Sequence, residues 1–254
     1  MHQRLLTMAL FALTPLLTNA QPSRITDHNA IGWFTVNGDY KLTRQWTIHT
    51  EAQWRRANFI TNWQQALYRL GLVYKATDKI QLSGGYTALV TYPYGGYPVA
   101  DTGVPTTEHR AYEDVTLSDT AGIVNLSHRV RLEQRWLANL LPGGSREVAN
   151  WRYQNRVRYQ LQATVPLQGR TRDNREWYAF FYDEIFIGFG ENVGNNVFNQ
   201  NRISGGLGYQ FSDAIRLELG YLNQITQHAD NDTVTGKSVF ENNNGFRLNV
   251  ACDF

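Results

Sequence analysis

Two stretches of the chain alternate apolar and charged residues with a period of two. Between Val124 and Trp136, the residues Asn125, Ser127, Arg129, Arg131, Glu133 and Arg135 interleave with Val124, Leu126, His128, Val130, Leu132, Gln134 and Trp136. Between Trp151 and Ala163, the residues Arg152, Gln154, Arg156, Arg158, Gln160 and Gln162 interleave with Trp151, Tyr153, Asn155, Val157, Tyr159, Leu161 and Ala163. A β-strand sends successive side chains to opposite faces. Each stretch therefore predicts a strand with one face suited to lipid and one suited to water or to a charged interior. Strands of this kind predict an all-β fold, an antiparallel transmembrane β-barrel.

The same reading gives eleven candidate strands: 31–40, 45–55, 62–75, 79–91, 107–117, 122–137, 147–165, 176–190, 198–211, 214–227 and 240–254. Most exceed the usual soluble strand, as tilted spanning strands must. Aromatic residues favour strands, and proline is nearly absent from the strand interiors. Between the strands, short connections (Asp39–Arg44, Ala76–Asp78, Ser118–Ala121, Ser212–Asp213) alternate with long or polar ones (Arg56–Thr61, Tyr92–Thr106, Ala138–Arg146, Glu191–Val197, His228–Val239). Outer-membrane barrels pair short periplasmic turns with longer outer loops, and only Pro166–Arg175 is long on the short side. Single-chain bacterial barrels usually have an even strand count, so twelve strands are expected, with ten as the alternative. A short strand before Ile31, or a broken segment, would reconcile that number with the eleven segments.

Extending the alternation sorts residues into two environments. Trp46, Leu70, Leu132, Leu207, Leu219 and Leu248 are among those that face outward. The interior receives Glu51, Arg55, Arg69, Arg129, Arg131, Glu133, Arg135, Arg152, Arg156, Arg158, Glu184, Arg202, Arg216, Glu218 and Arg247. The rigid five-donor guanidinium suits a packed network of ion pairs that fills a narrow lumen and braces the wall. The same residues could instead line a positively biased channel for small anionic solutes.

Residues 1–20 read as a signal peptide, with Arg4 before the apolar run Leu5–Leu17 and a small-residue cleavage site at Thr18–Ala20. The domain expected after cleavage is 21–254. Without Arg4, 23 Lys and Arg stand against 22 Asp and Glu, and the basic residues are spread along strands. That balance argues against a nucleic-acid partner. Cys252 is the only cysteine, which excludes a disulfide within the chain. The final Phe254 resembles the terminal aromatic read by outer-membrane assembly machinery. The expected partners are therefore that machinery and outer-membrane lipid.

No residues are assigned to catalysis, to a metal or to a cofactor. The chain has no Gly-x-Ser-x-Gly elbow and no His-Glu-x-x-His pair. His49 and Glu51 share a face without an identifiable nucleophile, and His128 falls on the outward face. The adjacent carboxylates Asp183 and Glu184 cannot both point inward along a regular strand. One of them must meet lipid, or a bulge must turn both aside; a bulge with Glu184 paired to a lumen arginine is the expectation.

The chain resembles the DUF2490 family of uncharacterised proteins of Bacteroidetes-type bacteria over about Gly32–Phe254. The stretches that carry the resemblance are Trp46–Arg55, Arg129–Trp136, Asn155–Tyr159 and Tyr182–Phe186. It implies an outer-membrane barrel with charged positions at Glu51, Arg55, Arg129, Arg131, Glu133, Arg135, Arg156, Arg158, Asp183 and Glu184, and it implies no activity. The leading expectation is a narrow pore or structural protein in the outer membrane of a Gram-negative bacterium. A lipid-modifying barrel enzyme, and a soluble periplasmic β-barrel or β-sandwich binding protein, are the alternatives.

Overall fold

The computed structural model describes residues 24–98, 103–194 and 196–254. The signal-peptide reading lies outside them. Strands β1 (Ile25–Lys41), β2 (Trp46–Ala57), β3 (Asn62–Lys75), β4 (Ile80–Thr91), β5 (Thr106–Ala121), β6 (Val124–Leu140), β7 (Val148–Pro166), β8 (Glu176–Phe189), β9 (Phe198–Gln210), β10 (Ile215–Gln227) and β11 (Val239–Asp253) form one closed barrel. Each pairs antiparallel with its neighbours in sequence. Closure is parallel, between β1 and β11, in an unbroken register from Ile25↔Val239 to Asp39↔Asp253. The strand count is thus eleven among the described residues, and neither twelve nor ten. The reason is geometric: consecutive hairpins reverse direction, so the first and last of an odd number of strands run the same way.

Among the described residues, those before Ile31 hold no additional strand. They extend β1 by six residues, paired to β11. The turn expected over Ser118–Ala121 lies later, at Gly122 and Ile123, because β5 and β6 remain paired as far as Ala121↔Val124. Gly122 has a φ of 65°, a conformation that glycine adopts without a Cβ penalty.

Burial follows the alternation. Along β6, Val130, Leu132 and Trp136 are exposed, whereas Arg131, Glu133 and Arg135 are buried. Leu132 is 37% exposed and its neighbour Glu133 only 1%. Large apolar residues thus cover the outside of the wall while charges fill the inside, the reverse of a soluble protein. Exposed aromatics gather at both ends. Trp46 packs on Tyr74, and Trp177 on Tyr209, at the short-turn end. Trp63 packs on Tyr92, and Trp136 on Tyr153, toward the long-loop end. Two aromatic girdles flanking an apolar band fit the two interfaces of a bilayer.

Leu132 is the middle residue of β6, so an arginine there would meet the hydrocarbon midplane. The Leu132→Arg variant is expected to lose about 2–4 kcal/mol of stability in lipid. Urea unfolding in bilayers measures this loss, and a change near zero would contradict a lipid-facing wall.

The outward face is not wholly apolar. Asp183 is exposed and accepts a hydrogen bond from Asn201 Nδ2 at 2.7 Å. Glu184, its neighbour, is buried in the lumen. The expected bulge at this pair is absent. The register of β8 with β9 shifts between Phe186 and Ile187, and ordinary alternation sends the two carboxylates to opposite faces, with an asparagine as partner for the outer one.

Candidate functional site

The interior is held by cross-strand ion pairs, and register places them. Glu51 lies opposite Arg69, Asp114 opposite Arg131, Glu133 opposite Arg156, and Glu184 opposite Arg202. Three of these are direct pairs: Arg69 to Glu51 at 2.5 Å, Arg156 to Glu133 at 2.5 Å, and Arg131 to Asp114. Directly opposed like charges destabilise a sheet, and two such oppositions of arginines occur. Arg110 faces Arg135, and both donate to Glu108, from Nε at 2.6 and 2.5 Å. Arg131 faces Arg158, and each turns to a different carboxylate. Arg158 donates to Glu133 at 2.7 Å and to Glu184 at 2.6 Å. Glu184 also accepts from Arg129 at 2.9 Å.

Toward the short-turn end, Arg247 donates to Glu218 at 3.1 Å and Arg216 to Asp253 at 2.6 Å. His49 bonds Asp39 at 2.6 Å and stands 3.7 Å from Glu51. No hydroxyl is recorded on its ring among the described residues, so this pair lacks the nucleophile of a hydrolytic triad. His128 faces outward and bonds the Tyr159 hydroxyl at 2.8 Å. Ser204 is committed to the Tyr221 carbonyl at 2.7 Å.

Three arginines depart from the pairing pattern. Arg55 donates to the amide oxygens of Gln53 and Gln65 and stacks on Trp33 at 4.0 Å. No carboxylate lies within ion-pair distance of it among the described residues. Arg202 reaches Glu184 only at 3.9 Å and lies over both Trp33 (4.8 Å) and Phe186 (4.6 Å). Arg152 lines the lumen on the long-loop side, and its buried Nε has no partner.

Arg55 and Arg202 build a waist with Trp33 and Phe186. Arg156 and Arg158 also stack on Phe186, at 5.0 and 4.5 Å. One cavity of about 400 Å³ opens below the waist and one of about 370 Å³ above it. The two share Arg55, Arg110 and Arg202 as lining residues. An aromatic ring between guanidinium planes gains cation–π attraction while separating like charges.

The upper cavity is roofed by the β4–β5 connection. Its Tyr94 hydroxyl donates to Glu241, and accepts from Gln64 Nε2 at 2.9 Å and Asn243 Nδ2 at 3.2 Å. Burial, with the Glu241 carboxylate beside it, holds the phenol well above its ordinary pKa, so it stays a donor. The Gly96 amide donates to Asp27 on β1 at 3.0 Å. A loop that leaves β4 is thus latched to β3, β1 and β11.

Several members of this site escape the alternation as read from β2, β3, β6, β7, β9, β10 and β11. Glu108, Arg110 and Asp114 follow the same period on β5. The signal there is blurred because the opposite set, His109, Ala111 and Glu113, is not apolar. Trp33, Tyr112, Tyr178 and Phe186 are buried and stand against lumen arginines. The inward positions of Tyr178 and Phe186 could have been read from Glu184, which shares their face of β8.

The sequence pattern of a family described as "Protein of unknown function (DUF2490)" matches residues 31–235. The chain belongs to the DUF2490 family. The match begins within β1 and runs to the β10–β11 connection, so it covers most of the waist and its supporting pairs. No curated protein matches the chain.

Proposed function

We propose that this DUF2490 protein is an outer-membrane β-barrel of a Gram-negative bacterium whose lumen is braced and closed at rest, with no chemistry of its own. When it opens, it favours anions. One observation carries this reading: Arg55 and Arg202, stacked on Trp33 and Phe186, narrow the lumen where the lower and upper cavities meet. Supporting it are the apolar outer wall, the two aromatic girdles, the asymmetry of short turns and long loops, and the latch at Tyr94. Buried charges are tolerated when each is paired or hydrogen-bonded, and most of these are. A wide aqueous channel would leave them solvated and apart.

Planar-bilayer recording tests the closure. The wild-type protein is expected to show no sustained conductance. The variant Trp33→Ala with Phe186→Ala, combined with Tyr94→Ala to release the roof, is expected to give single-channel steps that reverse at an anion-selective potential. Steady conductance by the wild-type barrel would overturn the closed reading, as would cation selectivity in the opened one. Heat-modifiable gel migration and recovery with the outer-membrane fraction test the location. Release with the periplasmic contents would overturn it.

A further inference from the structure

The lower cavity has more positive charge than its own wall neutralises. Ten arginines and His49 line it, against four carboxylates. Carboxylates behind the lining take up part of that excess: Glu108, Asp114, Glu133 and Asp253 hold Arg110, Arg131, Arg158 and Arg216. Two inner arginines, Arg55 and Arg202, remain under-neutralised, and a third, Arg172, stands exposed at the mouth. Arg55 has only amide oxygens and an indole ring. Arg202 has one carboxylate at 3.9 Å, which Arg129 and Arg158 already occupy. Arg172, from the long β7–β8 connection, enters the mouth of the cavity beside the Tyr178 ring at 5.0 Å.

Donors also stand idle there. One terminal nitrogen of Arg131, which is 4% exposed, has no partner, and neither does Arg129 Nε. A buried guanidinium without a counter-charge costs several kcal/mol, and idle buried donors add to that. Such groups are retained at low cost when an anion from outside completes them. Arginine's fork matches the paired oxygens of phosphate and carboxylate. The volume, about 400 Å³, lies within the usual range for small-molecule sites.

We propose that the cavity at the short-turn end is a binding site for small molecules bearing two or more oxyanion groups, phosphate or carboxylate. Arg55 and Arg202 engage one group at the waist, and Arg172 guards the entrance. The site rests on the closed-lumen reading, because the waist closes its inner end. Binding and conduction are nonetheless separate measurements, and either can fail alone.

The test is calorimetric titration of the full mature protein, folded in neutral detergent, with pyrophosphate, inorganic phosphate and citrate at constant ionic strength. Pyrophosphate is expected to bind saturably at one site and more tightly than inorganic phosphate. Citrate distinguishes the source: comparable affinity marks a polycarboxylate ligand, and much weaker affinity a phosphorylated one. The Arg55→Gln with Arg202→Gln variant is expected to weaken binding roughly tenfold or more, since charge-assisted bonds are lost. Arg172→Gln, which lies outside the strands and leaves the wall intact, is expected to weaken it as well. The exposed Arg170→Gln serves as the control and should bind as the wild type. Absence of saturable binding by any of the three anions would overturn the proposal. Unchanged affinity in Arg172→Gln and in a heat-modifiable, folded Arg55/Arg202 variant would do so too.

Discussion

Glu133→Gln is expected to destabilise the barrel by about 3–5 kcal/mol, the cost of leaving a buried charge without its partner. Glu133 is 1% exposed and holds Arg156 through Oε2 and Arg158 through Oε1. Glutamine keeps the shape and removes the charge, so Arg156 is left with Asn199 at 2.6 Å and the face of Phe186. Arg158 keeps Glu184. The loss should therefore fall mainly on the β6–β7 pair. Equilibrium unfolding in bilayers measures it, with Glu113→Gln as comparison. Glu113 lies on the outer face of β5, where its recorded partner is Gln134 at 3.2 Å, and its loss should cost under about 1 kcal/mol. Replacing both Glu133 and Arg156 with apolar residues of similar volume should restore much of the loss, because Arg156 is removed with its carboxylate and Arg158 keeps Glu184. Equal small effects at Glu133 and Glu113 would mean that water, not packing, surrounds the inner charges.

Gly245→Val is the second large effect expected. Gly245 pairs with Ile31 at the parallel seam. A Cβ there would stand 1.7 Å from the Ile31 carbonyl oxygen and 2.6 Å from its carbonyl carbon. Both are backbone atoms of a paired strand, so neither can swing aside. Overpacking in a tight interior costs about 1–3 kcal/mol and occasionally more. Here it also disrupts ladder hydrogen bonds at the parallel joint between β1 and β11. The expected result is loss of the compact, heat-modifiable species. Gly84→Ala is the control, since its added Cβ would meet its nearest atom at 3.5 Å. A normally closing Gly245→Val barrel would show that the seam tolerates more than an ångström of displacement.

Much of the wall could be read directly from the residues. Leu132 and Glu133 declare opposite faces because a strand has no third option, and the same logic assigns Arg69, Arg156 and Glu218 to the lumen. The logic weakens where a strand's outer set is polar. On β5, His109 and Glu113 face out, so Glu108, Arg110 and Asp114 do not stand apart by contrast. It also weakens for Ile25–Ala30, where Thr26, Asp27, His28 and Asn29 offer no apolar face and pairing with β11 supplies the order instead. The even-number expectation failed because parity follows from how the barrel closes, and closure is a contact between residues more than two hundred positions apart. Trp33 shows a different limit. An indole is ordinarily placed against lipid, and only three-dimensional proximity to Arg55 and Arg202 explains its place inside. Tyr94 sits in a Gly-, Pro- and Tyr-rich connection that suggests order but names no partner; Glu241 lies on the far side of the sequence.

The joint between β1 and β11 also bears on how the molecule is made. Every other pairing can zip from a local turn, whereas this one must bring together segments separated by nearly the entire polypeptide. The entropy of closing so large a loop falls on a single event, and contacts of such long sequence separation form slowly. Until then the growing sheet has two open edges, each a row of unsatisfied amides and carbonyls that hydrocarbon will not accept. Assembly therefore ends with the step that is both latest and least tolerant of error, and the interval before it is when this chain is most exposed to misassociation.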